Sequence, residues 1–157
     1  MIFFLLNSIA YIYFKKSIEY INVMMKETGY AEKYNWKNKR ILIVEDEEIN
    51  NMFFDAALSR TESKLLWAKN GKEAVDIIES SDDIDVILMD IRLPIMDGCE
   101  ATRRIKKNHK QIPIIAQTAY ALEGDKERIL DAGCDDYLSK PIRFEELLST
   151  IDKYLAD

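Results

Sequence analysis

From Ile41 to the C-terminus, short apolar runs alternate with stretches in which apolar residues recur every three or four positions. The runs fall at 41–44 (ILIV), 64–68 (KLLWA), 84–89 (IDVILM), 112–116 (IPIIA) and 137–138 (YL). Runs of that kind read as buried strands. Between them the spacing is helical: Ile49, Met52, Phe53 and Ala56; Ala74, Val75 and Ile78; Ala101 and Ile105; Leu122, Ile129 and Leu130. The clearest amphipathic stripe closes the chain, with Phe144, Leu147, Leu148, Ile151, Tyr154 and Leu155 on one face. Strict alternation of strand and helix predicts an α/β fold, a five-stranded parallel sheet covered by helices on both sides.

Upstream of Ile41 the pattern changes, so the chain divides into residues 1–40 and a domain at 41–157. Residues 1–14 carry no charge and are followed by Lys15 and Lys16. A helix of that length spans roughly 21 Å, short of the roughly 30 Å hydrocarbon core of a bilayer. A basic start and a small-residue cleavage site are both missing, so a cleaved signal fits poorly. Membrane contact of residues 1–25 stays open, with the two lysines holding the downstream chain on the cytoplasmic side. A partner-binding helix, or the remnant of a larger protein, is together the favoured alternative. Residues 26–40 (KETGYAEKYNWKNKR) read as a linker, and the expected location is the cytoplasm.

Composition narrows the function. The 157 residues are 48% hydrophobic and 32% charged, enough apolar surface for a core and too much for disorder. The net charge is −6, and it is uneven: seven basic and three acidic residues precede Ile41, with 15 and 25 after it. So acidic a body repels nucleic acid. Cys99 and Cys134 lie 35 residues apart without a CxxC motif, and read as small buried residues in a reducing compartment. The one histidine, His109, sits in a polar run, which argues against a histidine triad or metal centre.

Parallel α/β sheets bind ligands beyond the carboxyl ends of their strands. Here those ends are polar: Glu45-Asp46-Glu47-Glu48 after the first run, Asp90 after the third, Gln117-Thr118 after the fourth and Ser139-Lys140-Pro141 after the fifth. Each has a plainer reading alone. The acidic run suits the first turn of a helix, Asp90 a turn ahead of Pro94, Thr118 a strand or cap, and Lys140 a solvated surface. Brought together, the carboxylates would repel one another unless a cation neutralised them, and oxygen-only ligands suit Mg²⁺.

The stretches ILIVEDEEIN, VILMDIRLPIMDG, PIIAQTAYA and AGCDDYLSKPI, spread from about Lys39 to Leu155, resemble the receiver domains of two-component response regulators. The resemblance implies a flavodoxin-like fold of strand order 2-1-3-4-5. It also implies that Asp90 accepts a phosphoryl group from a phosphohistidine on a histidine kinase or histidine phosphotransfer protein. Mg²⁺ would be held by Glu45, Asp46, Asp90 and the backbone carbonyl of Ile91. Lys140, ahead of a cis bond to Pro141, would pair with the phosphoryl oxygens, and Thr118 would bond one of them. Tyr137 matches the aromatic switch residue. The face formed by the fourth helix (about 122–132), the last strand and the last helix would carry partner contacts or a homodimer. Such a domain is a phosphoacceptor that assists its own phosphorylation and slow dephosphorylation, not an enzyme acting on a separate substrate. Arg92 and Tyr120 flank the phosphoryl position, and their bulk implies slow loss of the phosphate.

Three other readings compete. A Mg²⁺-dependent phosphohydrolase of the haloacid dehalogenase type needs DxD after the first strand, where Glu45-Asp46-Glu47 stands. A Toprim-type site needs a second Asp where Arg92 stands. A pseudo-receiver that never takes phosphate would not need all five motif positions. The last helix ends at about Leu155 with two residues to follow, which leaves no room for an output domain. The chain therefore reads as a stand-alone receiver or the terminal receiver of a hybrid sensor histidine kinase, and YNWKNKR favours the second.

Overall fold

The computed structural model describes residues 29–80, 83–119 and 123–156, together with Ile12, Lys15, Lys16, residues 18–21, Val23, Met24 and Lys26. After a single helical turn at Tyr30–Lys33, strands and helices alternate. They are β1 (Arg40–Val44), α1 (Glu48–Leu58), β2 (Lys64–Ala68), α2 (Gly71–Ser80), β3 (Val86–Asp90) and α3 (Gly98–Asn108). Then come β4 (Ile114–Thr118), α4 (Glu123–Asp131), β5 (Asp136–Ser139) and α5 (Phe144–Leu155). All pairings in the five-stranded sheet are parallel, in the order β2-β1-β3-β4-β5. The order reverses between β1 and β3; β3 ends in Asp90, and β1 is followed directly by Glu45 and Asp46.

Side-chain alternation splits the core in two. On one side of the sheet Leu42, Val44, Ile87, Met89, Ile114 and Ala116 pack against α2, α3 and α4. On the other, Ile41, Ile43, Val86, Leu88, Ile115 and Leu138 pack against Phe54, Ala57 and Leu58 of α1 and Leu147, Leu148, Ile151 and Leu155 of α5. β3 and β4 are buried along their whole length, as expected for central strands covered on both faces.

The structure corrects three expectations. β3 and β4 each lie two residues further along than their apolar runs begin, so Asp90 and Thr118 end their strands instead of following them. Asp85 is diverted into a turn, its carboxylate accepting the N–H of Arg40 at 2.7 Å. Pro113 has no N–H for the ladder, and its carbonyl instead accepts the N–H of Ile87 at 2.9 Å. On α1 the buried face is Phe54, Ala57 and Leu58, while Ile49 and Met52 are 52% and 40% exposed. Both sets have helical spacing, and only the position of the sheet chooses between them. On α4, Leu130 is likewise exposed while Ile129 is buried.

The segment before β1 also does more than connect. Tyr34 and Trp36 are buried with Ile21 in the α1/α5 core. The Trp36 Nε1–H donates to Asp152 Oδ1 on α5 at 3.0 Å, and its backbone N–H to the carbonyl of Thr61 at 2.6 Å. Tyr30 meets the ring of Phe144 edge-on, 5.7 Å between centroids. A solvated linker would leave these aromatic faces in water, whereas burial removes a large apolar area from it. Residues 1–11 lie outside the described residues. Among those described, no helix is long and apolar enough to cross a membrane.

Candidate functional site

Three strands deliver the acidic residues and a lysine to one edge. β1 runs directly into Glu45, which is buried, its Oε1 accepting the N–H of Glu47 at 3.0 Å. Asp46, next in the chain, is exposed at the same edge. Asp90 closes β3, buried, with Oδ1 accepting the N–H of Arg92 at 2.7 Å. Oxygens of Glu45, Asp46 and Asp90 come within 4.8 Å of one another. Lys140 reaches in from the end of β5: its ammonium donates to Glu45 Oε2 at 2.8 Å and to Asp90 Oδ2. The Lys140–Pro141 bond is cis, and the backbone N–H of Lys140 donates to the carbonyl of Thr118 at 2.7 Å.

The electrostatics follow from burial. Desolvation pushes the Asp90 carboxyl above its ordinary range, against the pull of hydrogen bonds from Lys140 and from the N–H of Arg92, while Glu45 adds to the rise. Burial also works against the charge of Lys140. Its bonds to Asp90 and Glu45 outweigh that and leave its pKa above the ordinary lysine value. Three carboxyl groups against one ammonium leave a surplus of acidic oxygen. An all-oxygen donor set with such a surplus fits Mg²⁺, which takes one or two carboxylates and fills its remaining positions with water or phosphate.

Thr118 ends β4, buried, on the α2/α3/α4 side. It lines a cleft of about 400 Å³ with Ile91, Arg92, Leu93, Asp97, Arg128 and Ile129. Tyr137, on β5, is half-buried against the same core, with the Lys126 ammonium 5.2 Å from its ring centroid. The structure therefore brings Glu45, Asp46, Asp90 and Lys140 into contact range and sets Thr118 on the neighbouring strand end. The Ile91 carbonyl accepts the N–H of Gly98 at 3.1 Å, which aims it at the start of α3 and leaves a single lone pair for any cation. Tyr120 lies outside the described residues.

One contributor escapes a reading by residue chemistry. Gly98 opens α3 so close to β3 that a Cβ there would stand 2.1 Å from the Asp90 carbonyl oxygen. Its signal was the MDG triplet, in which Asp97 caps the helix by accepting the N–H of Glu100 at 2.9 Å. Ile49 and Met52 stand exposed on α1, the helix that begins two residues after Asp46.

An acidic triad gathered just after the first strand and at the end of the third in a 2-1-3-4-5 sheet, with a lysine from just after the fifth, accompanies a match of residues 41–152 to the response regulator receiver domain. The chain belongs to the response regulator receiver family. Among its relatives, the polar-differentiation response regulator DivK of Brucella anthropi is 40% identical over 121 residues, 76% of this chain and 98% of the relative. The receiver domain of a Pseudomonas aeruginosa sensor histidine kinase, solved with a magnesium ion coordinated in its active-site cleft, is 38% identical. It superposes with a TM-score of 0.71 over 76% of this chain and 99% of that chain. The Saccharomyces cerevisiae receiver domain co-crystallised with its histidine phosphotransfer protein belongs to a structure that is 33% identical. Its TM-score is 0.71, with 76% and 90% coverage. The receiver thus belongs to two-component signalling.

Proposed function

We propose that this receiver takes a phosphoryl group from a phosphohistidine onto Asp90, with Mg²⁺ held by Glu45, Asp46 and Asp90. The observation that carries the reading is the meeting of these three carboxylates within 4.8 Å, with the Lys140 ammonium on Asp90. An Asp90 oxygen attacks phosphorus as the P–N bond to the donor imidazole breaks, the bond pair leaving with the imidazole nitrogen, which takes up a proton. When bound, the cation offsets the negative charge of nucleophile and phosphoryl group. Lys140 then follows the charge to the phosphoryl oxygens. Thr118 bonds a phosphoryl oxygen, and Tyr137 turns inward to alter the α4/β5/α5 face for a partner or a second copy.

The donor is a histidine kinase or a histidine phosphotransfer protein. A protein donor must lay its histidine over Asp90, and exposed Ile49 and Met52 offer it apolar surface beside the site. No phosphohydrolase of the haloacid dehalogenase type is needed to explain the site: its nucleophile would stand after β1, where Glu45 is buried in an ion pair with Lys140. Arg92, which is exposed and lines the cleft with Thr118, and Tyr120, by its sequence position two after Thr118, are the bulky residues expected to slow hydrolysis. Replacing both, Arg92→Asn with Tyr120→Glu, should speed loss of label once the donor is removed. Equal decay in the wild type would refute the shielding.

The test of the main reading is intact-mass analysis after acetyl phosphate and Mg²⁺. One phosphoryl group should be added to the wild type and none to Asp90→Asn. Equal labelling of the variant would remove Asp90 from the role. Asp46→Ala should weaken Mg²⁺ binding in a tryptophan fluorescence titration, and an unchanged titration would argue against the ligand set.

A further inference from the structure

Gln117, next to last in β4, is wholly buried, and neither its Oε1 nor its Nε2 has a hydrogen-bond partner among the described residues. Its direction follows from the strand. Ile114 and Ala116 face the α2/α3/α4 core and Ile115 the α1/α5 core, so Gln117 faces α1/α5. The register sets it beside Asp90 on β3 and Leu138 on β5, in strands about 4.8 Å apart. Lys140 is the next residue after Leu138 on that side. The amide therefore lies alongside the nucleophile and its lysine. A leucine would fill the position without the cost of burying an unpaired amide.

Both neighbours are occupied in this state. Asp90 Oδ1 accepts from Arg92 and Oδ2 from Lys140, whose ammonium also serves Glu45. We infer that Gln117 is a positioning residue for the phosphorylated site, its Nε2 donating to the carbonyl oxygen of the Asp90 acyl phosphate. The inference rests on Asp90 being the phosphoacceptor. Forming the P–O bond at Oδ1 removes the carboxylate charge, so Lys140 leaves Oδ2 for the phosphoryl oxygens, and Oδ2, now the acyl carbonyl, is left with a lone pair for a new donor. The Gln117 amide is the buried donor next to it. An amide that is unpaired before phosphorylation and paired after it raises the first state relative to the second, which biases a two-state switch toward activation.

The experiment uses the full chain with Mg²⁺ and beryllofluoride, which seats on an aspartate carboxylate as a phosphoryl mimic. Gln117→Leu, with Gln117→Met as a second apolar variant of closer shape, should raise the urea midpoint of the unliganded protein. Both should weaken beryllofluoride binding about tenfold, the loss of one buried hydrogen bond. The side-chain NH₂ resonances missing from the variants identify Gln117, and in the wild type they should move on adding beryllofluoride. Equal stabilisation of liganded and unliganded forms, or unmoved amide resonances, would show a merely buried side chain and overturn the inference while leaving Asp90 its role. A wild type that fails to bind beryllofluoride would overturn both.

Discussion

Replacing Gly98 by alanine tests whether the start of α3 sets the position of the nucleophile. The added Cβ would stand 2.1 Å from the Asp90 carbonyl oxygen, 2.9 Å from Ile91 Cα and 3.0 Å from the Asp90 carbonyl carbon. Every one of these is a backbone atom, so no rotamer change relieves the contact. Ordinary contact starts near 3.4 Å, so the helix start and the end of β3 must separate by on the order of 1 Å, the scale at which a misplaced reacting group costs about 10²-fold in rate. The same shift strains the Gly98 N–H bond to the Ile91 carbonyl, and overpacking of this kind costs typically about 1–3 kcal/mol of stability. The assay is an intact-mass time course with acetyl phosphate and Mg²⁺, run beside urea unfolding. Gly133→Ala is the control. Its φ of 101° makes alanine strained, but the Cβ would meet only the Lys106 and Thr102 side chains, so it should lose stability while keeping the phosphorylation rate. Wild-type labelling by folded Gly98→Ala would refute the positioning argument.

Three further outcomes are expected. Ile49→Glu with Met52→Glu should slow transfer from a phosphorylated histidine phosphotransfer protein and leave labelling by acetyl phosphate unchanged, because both side chains are exposed on α1 and belong to none of the acidic and lysine groups gathered at Asp90; equal slowing with both donors would count against a docking role. Trp36→Ala should lower stability by about 3–5 kcal/mol in urea, since it empties a buried aromatic site and strips the Asp152 bond, and a change below about 1 kcal/mol would return residues 26–40 to the status of a linker. Burial pushes the Cys134 thiol up to about 11, against a hydrogen bond from Thr102. The folded state holds that proton more tightly than the unfolded chain. The stability it contributes is complete below the ordinary thiol value near 9 and is lost as pH rises from there towards 11. Cys134→Ala should flatten the fall of the urea midpoint over that window, and an unchanged slope would show that the thiol does not govern it.

The apolar runs and helical stripes are enough to read the alternation, the parallel sheet and the polar strand ends, because a central strand buried on both faces must be apolar through its body and can turn polar only where it reaches the edge of the sheet. Motif chemistry by itself names Glu45, Asp46, Asp90, Thr118 and Lys140. Their meeting could be inferred only because parallel strands place all their carboxyl ends on one edge. What the sequence could not decide was which of two equally periodic faces of α1 turns inward, since Phe53 and Phe54 are adjacent and the sheet alone selects Phe54. Nor could composition show that Tyr34 and Trp36 close the α1/α5 core, because a polar stretch with scattered aromatics looks the same whether its rings are packed or solvated. The close approach of Gly98 to Asp90, and the placing of the Gln117 amide beside it, were decided by tertiary structure alone. Both arise between residues on different elements, and a local pattern carries no record of the distance across that gap.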